Sequence, residues 1–384
     1  MSPRETPTVL LIGGGTGGHV YPLLAIGERL RPLGVRLVSV ASDREIDVDV
    51  LRGPLARGEI DAFVPIPARP FGLQPKVFAG LVRSWSPSVN ATVREIERAP
   101  GPVVAVSTGG FVSVPACRAC RSLGVPIALV ALDVPPGKAT MLTSRWAGHR
   151  LNAAPVPLEG WKPVGPLIRA AARPSRPRSE AAEALGLDPA RPTLVVFGGS
   201  QGARTLNRFL VRFLQARGDE LNDAGWQVLQ QSGAADFEES RAAVRGVSLP
   251  VRVVPFIENV GDAWSAATVV LARAGASTVA EARFAGKPCV FMPYPFHADR
   301  HQEGNARLLV ESGAAVCLRD HVDPEMNLKA NATEVLKVLS SFSRVSNSEQ
   351  ISELQAMQED GAEQVARLVE TKLFGVVKAG CENR

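Results

Sequence analysis

The stretch VLLIGGGTGGHVYPLLAIGERL, residues 9–30, decides the fold of the first half of the chain. Four apolar residues, Val9–Ile12, predict a buried strand, and the segment Gly13–Gly18 predicts a loop. The run from about Val20 to Leu30 predicts a helix, and a second apolar stretch, Val35–Val40, follows it. Strand, glycine loop, helix and strand in this order are typical of a parallel α/β layer.

The same pattern returns further along the chain. Val103–Val106 and Ile127–Val130 predict additional strands of the first half, with a helical segment ending near Leu123 between them. In the second half, Thr193–Phe197 predicts a strand that leads through another glycine loop into an amphipathic helix from Leu206 to Ala216. The chain therefore restarts its own beginning, and two similar domains are expected.

Further strands are predicted at Val251–Val254, Thr268–Leu271 and Cys289–Met292. The Ala-, Pro- and Arg-rich stretch 169–191 suits a connection with one short helix, so we place the domain boundary near its start. We predict an α/β protein in which two doubly wound, Rossmann-like domains face each other across a cleft. The domains are expected to span residues 1–165 and 166–360. The polar tail at 361–384 is compatible with a final helix that crosses back to the first domain.

Length and composition narrow the class of protein. At 384 residues the chain fits two domains of ordinary size, and 45% hydrophobic with 21% charged residues is typical of globular proteins. No apolar run reaches the roughly 18 to 20 residues of a spanning helix, and the first residues lack the order of a signal peptide. We therefore expect a cytoplasmic protein. Five cysteines do not form a disulfide framework, and we expect Cys117 and Cys120 to pack in the core.

Charge is divided unevenly between the two halves. Residues 1–165 contain 18 lysines and arginines against 12 aspartates and glutamates, a net charge of +6, whereas residues 166–384 carry −1. An anionic partner is therefore expected to meet the first half, and we expect no nucleic acid as partner. The segment Lys76–Trp85 combines apolar bulk, basic residues and a tryptophan at helical spacing. It is either an interfacial patch for an anionic membrane surface or an amphipathic helix packed on the sheet.

The first glycine loop contains Gly13-x-Gly15-x-x-Gly18, the spacing of dinucleotide-binding loops. Glycines at these positions let backbone N–H groups at a helix N-terminus approach a phosphate closely. The loop therefore indicates an anion-binding site. His19 follows at the mouth of the helix, where it is either a base that addresses a ligand or a residue that only caps the turn.

A second glycine loop, Phe197–Ala203, contains Ser200 and further backbone donors at the start of another helix. It is either a second anion-binding site or a tight turn without a ligand. Since both halves carry such a loop, we favour one phosphorylated donor and one phosphorylated acceptor.

Two polar segments of the second half carry further candidate binding residues. Thr278 and Glu281 have the spacing of a capping box, and the Glu281 carboxylate alternatively suits both hydroxyls of a ribose. The segment Phe296–Asn305 offers many side chains that suit the hydroxyls of a sugar. An alternative is a metal site formed by His297, Asp299 and His301. No further ligand cluster is evident in the sequence, so we expect no required metal.

Together these stretches resemble the MurG family of peripheral membrane N-acetylglucosaminyltransferases of peptidoglycan synthesis. The resemblance covers most of the chain and is specific because the motifs occur in family order. The motifs are GGGTGGHVYP (13–22), STGGFVSVPA (107–116), VGPLIR (164–169), FGGSQGARTLN (197–207), PFIENV (255–260), RAGASTVAE (273–281) and DRHQEGNA (299–306). The resemblance implies a GT-B fold, with UDP-N-acetylglucosamine bound mainly to the second domain and undecaprenyl-diphosphate-linked muramyl-pentapeptide bound to the first. It also implies a peripheral position on the cytoplasmic face of the bacterial plasma membrane.

The resemblance implies roles for individual residues of the donor site. Ile257 would meet the uracil through its backbone, and Glu281 would meet the ribose. Gln302, with Asn305 nearby, would hold the sugar, and Arg169 would complete the site from the domain junction. Ser200 with Ala276, Ser277 and Thr278 would bind the diphosphate, and Val279 and Ala280 are further substrate-binding residues of this segment.

On the acceptor side, the resemblance implies that Thr16, Gly17 and Gly18 face the reaction centre. His19 would deprotonate the muramyl 4-hydroxyl, which would attack the anomeric carbon from the face opposite UDP and give a β-1,4 linkage. Helix N-termini and an arginine can stabilise the leaving diphosphate, so no metal ion is expected.

The chain departs from the family pattern at Asp133, which stands where an Asn is expected, and in a longer loop beyond it. An ionised Asp only accepts hydrogen bonds, so its ligand contact differs, and Asp133 becomes a second candidate base. His301 occupies the position of the first of two glutamines. These changes keep open a relative with another acceptor and a nucleotide-sugar-binding protein without catalysis. A dehydrogenase that uses the first loop for NAD, with Asp43 as ribose partner, is the rival enzyme class, but it leaves the second loop without a role.

Overall fold

The structure is a computed structural model that describes residues 6–15, 17–70, 74–198, 202–296, 300–342 and 359–374. Its described residues divide into two compact units. The first unit contains the described residues up to Arg169 together with those from Glu359 onward, and the second begins at Ala170. Each unit is organised around its own parallel sheet.

The first unit is built on a seven-stranded sheet in which neighbouring strands are parallel. Its strands are β1 (Thr8–Gly13), β2 (Arg36–Ser42), β3 (Ala62–Ile66), β4 (Val103–Gly109), β5 (Ile127–Ala131), β6 (His149–Asn152) and β7 (Lys162–Pro163). They follow the order β3-β2-β1-β4-β5-β6-β7. Every residue of β1 and β5 is buried, as expected for central strands covered by helices on both faces.

Among its described residues, the first unit contains six α-helices. They are α1 (Gly17–Leu30), α2 (Glu45–Ala56), α3 (Pro75–Glu97), α4 (Ser113–Ser122), α5 (Lys138–Thr143) and, at the far end of the described chain, α13 (Gly361–Leu368). Helix α1 begins at Gly17 rather than near Val20, so His19 lies in its first turn. This position places the imidazole at the carboxyl edge of the sheet.

The second unit repeats this plan with six strands, again all parallel. Its strands are β8 (Thr193–Phe197), β9 (Gln227–Gln231), β10 (Val251–Val254), β11 (Val269–Ala272), β12 (Cys289–Phe291) and β13 (Ala315–Cys317), in the order β10-β9-β8-β11-β12-β13. Its helices are α6 (Arg178–Ala184), α7 (Arg204–Asp223), α8 (Phe237–Ala243), α9 (Val260–Ala266), α10 (Ala276–Ala285), α11 (His301–Glu311) and α12 (Pro324–Phe342). The prediction of two doubly wound, Rossmann-like domains is confirmed.

Alternate residues of β8 enter different cores. Leu194 and Val196 pack into one apolar cluster, whereas Val195 and Phe197 pack into another. A strand buried on both faces must be apolar throughout, which explains the continuous apolar run at this position of the sequence.

The direction of strand order reverses between β1 and β4 in the first sheet and between β8 and β11 in the second. Helices leaving the sheet on either side of such a reversal create a crevice at the carboxyl ends of the strands, where doubly wound proteins bind ligands. The loops after β1, β4, β8 and β11 are therefore the expected ligand-binding loops.

Helix α13 completes the first unit although it lies at the far end of the chain. The Asp360 side chain caps α13 and accepts a hydrogen bond from Arg29 Nε on α1 at 2.9 Å. The Gly165 N–H donates to Gln364 Oε1 at 2.9 Å. Any side chain at Gly361 would overlap the carbonyl oxygen of Gly165, so two glycines are needed for this close approach.

The prediction that Cys117 and Cys120 pack in the core is confirmed, since both are fully buried and neither forms a disulfide. Burial raises the pKa of the Cys117 thiol to about 12. Among the described residues, no helix is long and apolar enough to cross a membrane.

Candidate functional site

The glycine loop after β1 is packed against side chains of its own unit. The Gly15 N–H donates to Asp47 Oδ2 at 2.7 Å, and Gly15 has a φ of +91°, which favours glycine. A side chain at Gly15 would overlap the Phe111 ring, and Gly13, Gly14 and Gly15 are all buried. The prediction that this part of the loop turns its backbone donors toward a phosphate is therefore wrong for Gly15, because a carboxylate already accepts from that N–H.

The open part of the first loop is the start of α1. Thr16 lies outside the described residues, whereas Gly17, Gly18 and His19 are partly buried. The N-terminus of a helix carries partial positive charge, so these residues remain compatible with a polar or anionic ligand.

His19 is held by the strand that lies across the reversal of the sheet. Its Nδ1 lies 3.0 Å from the carbonyl oxygen of Thr108 at the end of β4, and the Thr108 hydroxyl donates to the His19 carbonyl at 2.8 Å. A carbonyl oxygen only accepts, so Nδ1 carries the proton in this arrangement. The neutral ring then keeps its lone pair on Nε2, which is the state that a general base requires.

The other predicted residues of the first unit lie at separate places. Asp133 follows β5 at the same carboxyl edge of the sheet and is partly buried. The guanidinium of Arg169 lies over the Tyr21 ring of α1, 4.5 Å from its centroid. Asp43, the ribose partner of the dehydrogenase hypothesis, is instead paired with Arg69, with Nη1 and Oδ1 at 2.6 Å. That pairing and the engaged Gly15 N–H argue against a dinucleotide at this loop.

In the second unit, helix α10 starts earlier than the capping-box interpretation requires. Its N-cap is Gly275, without a side-chain cap, and its first residue is Ala276. Thr278 therefore lies inside the helix, and the interpretation of Thr278 and Glu281 as a capping box is wrong. The first turn of α10, Ala276–Thr278, follows β11 at the strand-order reversal and is partly buried. The N–H groups of a helix N-terminus at such a position suit a phosphate. Ser200 lies outside the described residues.

Glu281 is held by a buried tryptophan. Trp264 Nε1 donates to Glu281 Oε2 at 3.0 Å, and the Trp264 ring is fully buried against Phe197, with ring centroids 5.0 Å apart. The bond restricts the carboxylate to one orientation on α10. Val279, the neighbouring apolar residue of the helix, is buried in the same core, and Ala280 is partly buried.

The remaining predicted donor residues lie in the loop after β10 and in helix α11. Ile257, after β10, is 4% exposed and packs in the same core as Trp264. Gln302 Oε1 accepts from the Tyr294 N–H at 2.8 Å, and both residues line an open groove of about 1150 Å³. Asn305 is buried and its Nδ2 donates to the carbonyl of Ala274 at 3.3 Å, just before α10. Asn305 is thus placed to fix the loop that precedes the first turn of α10.

A buried ion pair stands behind this loop. Arg273 Nη2 lies 2.8 Å from Asp320 Oδ2, and Arg273 Nη1 donates to the carbonyl of Met292 at 2.7 Å. Asp320 also accepts from Thr205 at 2.5 Å and from Asn327 at 2.9 Å. Burial alone would raise the pKa of Asp320, but these hydrogen bonds and the Arg273 charge outweigh it and hold that pKa below its ordinary value.

The metal-site hypothesis falls largely outside the described residues, which exclude His297 and Asp299. His301 is described and begins α11. Within the part of the chain that the structure describes, no group of three or more His, Cys, Asp or Glu side chains is arranged to hold a metal ion.

Two family models match this chain. The glycosyltransferase family 28 N-terminal domain matches residues 9–150, and the glycosyltransferase family 28 C-terminal domain matches residues 193–365. A relative from Sorangium cellulosum is 37% identical over 341 residues, which cover 84% of this chain and 78% of the relative. It is named UDP-N-acetylglucosamine–N-acetylmuramyl-(pentapeptide) pyrophosphoryl-undecaprenol N-acetylglucosamine transferase. The chain belongs to the MurG family within glycosyltransferase family 28.

Another MurG relative is similar to this chain, and two solved structures are similar to it in fold. A protein from Frankia casuarinae with the same name is 36% identical over 344 residues, covering 86% of this chain and 87% of the relative. The crystal structure of Acinetobacter baumannii MurG has a TM-score of 0.69 at 23% identity and covers 96% of this chain and 100% of that one. The calicheamicin glycosyltransferase CalG4 has a TM-score of 0.66 at 18% identity and covers 98% and 100%. These structures show the two-domain GT-B fold, and this MurG-family chain is a glycosyltransferase.

Sequence reasoning missed the residues that hold the site in place. The sequence shows Asp47 only as an acidic residue in the first turn of α2, and no sequence pattern links it to Gly15. Trp264 lies in an apolar segment that gives no sign of a bond to Glu281. The spacing of Arg273 and Asp320 likewise gives no indication of their pairing.

Replacing Asp320 with Asn removes the charge opposite Arg273 while keeping the shape of the side chain. We expect the free energy of unfolding to fall by about 3 kcal/mol near neutral pH, because a buried guanidinium loses its counter-charge. The folded-state pKa of Asp320 is lowered, so its contribution is complete above the unfolded pKa of about 4 and disappears as pH falls through the folded pKa. Urea unfolding, followed by circular dichroism near neutral pH and near pH 3, should show the difference from wild type shrinking in acid.

Glu334→Gln is the matched control, because Glu334 pairs with Lys337 on the exposed surface of α12. This variant should stay within about 0.5 kcal/mol of wild type. Equal effects of the two substitutions would contradict the role assigned to the buried pair.

Proposed function

We propose that this protein transfers N-acetylglucosamine from UDP-N-acetylglucosamine to the 4-hydroxyl of undecaprenyl-diphosphate-linked N-acetylmuramyl-pentapeptide, with inversion at the anomeric carbon. The names of the relatives from Sorangium and Frankia support this donor and this acceptor. The structural observation that supports this proposal is the hydrogen bond between His19 Nδ1 and the Thr108 carbonyl, at the carboxyl edge of the first sheet. That anchoring leaves Nε2 as the proton acceptor.

The second unit would hold the donor. The first turn of α10, Ala276–Thr278, is proposed to receive the UDP diphosphate, because the helix N-terminus favours negative charge. Glu281 would accept the ribose hydroxyls in the orientation set by Trp264. Ile257 would meet the uracil through its backbone, and Gln302 would contact the sugar.

Other donor contacts complete this proposal. Ser200 is proposed to add a hydroxyl to the diphosphate site, and Val279 and Ala280 continue the binding segment. Arg169 would contribute positive charge near the leaving group. Asn305 is proposed to act indirectly, since its amide fixes the Ala274 carbonyl before α10.

The first unit would hold the acceptor and remove its proton. Thr16, Gly17 and Gly18 are proposed to line the acceptor sugar at the start of α1. His19 Nε2 takes the proton of the 4-hydroxyl as the oxygen bonds to the anomeric carbon, while the bond from that carbon to the UDP oxygen breaks. The leaving diphosphate gains the electron pair, and the positive end of α10 stabilises it.

Turnover tests this proposal directly. Purified protein is incubated with UDP-N-acetylglucosamine and the lipid-diphosphate muramyl-pentapeptide in detergent with EDTA, and UDP and the disaccharide product are measured. We expect both products, because helix N-termini and arginine can stabilise the leaving group without a metal ion. His19→Gln should lower kcat by roughly 100-fold or more. His149→Gln, a partly buried histidine of β6 in the same unit, is the control and should retain activity.

Two results would redirect the assignment. Asp133→Asn as the inactive variant, with His19→Gln active, would make Asp133 the base. Saturable binding of UDP-N-acetylglucosamine without turnover would favour a relative with another acceptor or a binding protein, which the Asp133 substitution in the family pattern already suggests.

Replacing Trp264 with Phe keeps an aromatic ring against Phe197 but removes the N–H that orients Glu281. We expect KM for UDP-N-acetylglucosamine to rise roughly 10-fold, in line with a lost hydrogen bond to a charged group, while KM for the acceptor stays unchanged. Trp226→Phe is the control, because Trp226 is equally buried in the other core of the same unit. A similar rise in donor KM for both variants would refute a specific role for the Trp264 bond.

The acceptor is a lipid, and we propose that the first unit meets an anionic membrane surface, at the cytoplasmic face of the bacterial plasma membrane, through the N-terminal half of α3. Phe78 and Val82 lie one helical turn apart on α3 and are 55% and 59% exposed. Arg83 beside them is also exposed. Apolar side chains next to basic ones are typical of helices that insert into the headgroup region.

Sedimentation with phosphatidylglycerol-containing vesicles checks this surface. The double variant Phe78→Ser with Val82→Ser should lose most of the vesicle-bound fraction, because the apolar area available for insertion is removed. Leu33→Ser with Leu55→Ser is the control, since these two leucines of the same unit belong to other elements than α3 and are 40% and 41% exposed. Equal losses in both double variants would exclude a specific role for α3.

A further inference from the structure

The carboxylate of Asp47 joins two turns at the carboxyl edge of the first sheet. Asp47 is fully buried in the first turn of α2. Its Oδ2 accepts from the Ser42 N–H at 3.0 Å and from the Ser42 hydroxyl at 2.5 Å, which fixes the turn after β2. The same oxygen accepts from the Gly15 N–H at 2.7 Å, which belongs to the turn after β1. One oxygen atom therefore determines how the loop before His19 is placed relative to the neighbouring strand.

The loop has little room to adopt another path. A side chain at Gly14 would lie 2.5 Å from Asp47 Oδ2, and one at Gly15 would overlap the Phe111 ring. Gly15 is thus enclosed between an aromatic ring and a carboxylate. A side chain at Gly110 would lie 2.6 Å from the Gly14 carbonyl oxygen, so the loop after β4 closes the third side.

Burying Asp47 lowers the free energy of unfolding, which a purely structural contact would not require. Its Oδ1 is buried and has no hydrogen-bond partner within the described residues. A buried carboxylate with one unsatisfied oxygen costs free energy that a neutral side chain would avoid. The charge also lies directly behind the loop, where it opposes a phosphate on the Gly15 N–H. Both features point to a requirement of the site rather than of the core.

We propose that Asp47 is a positioning residue of the acceptor site, which fixes the loop from Gly13 to Gly15 so that α1 presents His19 to a neutral sugar hydroxyl, while the Gly15 N–H is kept from a phosphate. The inference rests on the proposed function for the identity of the acceptor. It adds that Asp47 acts through Gly15 and the start of α1, without touching the substrate. The diphosphate of the acceptor is accordingly bound elsewhere than on the Gly15 N–H.

Steady-state kinetics of Asp47→Asn separate positioning from stability. Loss of the charge weakens the bond to Gly15, and a displacement of the base by about 1 Å costs as much as 100-fold in rate. We expect kcat to fall by at least 10-fold and KM for the acceptor to rise, while KM for UDP-N-acetylglucosamine stays within a factor of two. Partial unfolding would lower only the active fraction and leave both KM values unchanged.

Two further variants make the test specific. Gly14→Ala disturbs the same contact from the other side, has no positive φ to strain, and should reproduce the acceptor defect. Asp61→Asn is the control, because Asp61 also accepts a backbone N–H of the unit, from Leu37 at 2.7 Å, but at the start of β2. Asp61→Asn should cost stability without changing either KM.

A substrate-free measurement separates this inference from the proposed function. In protein labelled with nitrogen-15 histidine, the His19 resonances should report a proton on Nδ1 in wild type and a loss of that preference in Asp47→Asn. If the wild-type protein shows no turnover but Asp47→Asn changes the His19 tautomer, the proposed acceptor is wrong and the positioning role of Asp47 is supported. An unchanged tautomer, together with kinetics equal to those of Asp61→Asn, would overturn the role of Asp47.

Discussion

A parallel sheet ends all its strands at one edge, and the backbone N–H groups of the turns there must find partners outside the ladder. Buried carboxylates supply those partners in both units. Asp47 accepts from the Gly15 and Ser42 N–H groups, and Asp320 accepts from the Val322 N–H at 2.7 Å while it pairs with Arg273. A buried acceptor that loses one donor is penalised, so each turn keeps one conformation. The candidate catalytic and binding groups depend on these carboxylates, because His19 follows the turn that Asp47 holds and α10 follows the segment of Arg273, which pairs with Asp320.

Strands were predictable where apolar residues form a continuous run, as in β8, or dominate a short segment, as in the VRVV sequence of β10. The predicted bounds of β8 and β10 agree with the structure at both ends, and β1 is predicted to within one residue. Strand β9 was missed because its sequence, QVLQQ, carries three glutamines, although all five residues are buried. Gln227 Nε2 donates to the Asp188 carbonyl at 2.6 Å, and Gln230 Nε2 donates to Asn207 at 3.0 Å. These partners lie more than twenty residues away along the chain, so no local pattern could reveal that both amide nitrogens are hydrogen-bonded.

The same distinction applies to the candidate site: some of its features follow from neighbouring residues in the sequence, and others depend on residues far apart in the chain. Glycine loops, His19 and the segment that forms α10 were found because their signals lie within ten residues of one another. The capping box was predicted wrongly for a related reason, since its spacing is local but the helix boundary is set by Gly275 at the end of the turn after β11. The orientation of Glu281 by Trp264 and the anchoring of Gly15 by Asp47 depend on tertiary packing. Sequence therefore indicates which residues are available for chemistry, whereas packing determines their orientation.

The start of α10 in the second unit and the loop before His19 in the first unit differ in charge. This difference suits glycosyl transfer, which needs a stabilised leaving group and a base for the attacking hydroxyl. A departing diphosphate gains negative charge, which the N-terminus of α10 in the second unit can stabilise. An attacking hydroxyl must lose a proton, which calls for a base and gains nothing from an additional anion-binding site. In the first unit, Asp47 accepts from Gly15 and places negative charge behind the loop, while Thr108 anchors His19. A glycine spacing alone therefore does not specify phosphate binding, because the side chain behind the loop decides whether its N–H groups face a ligand or the protein.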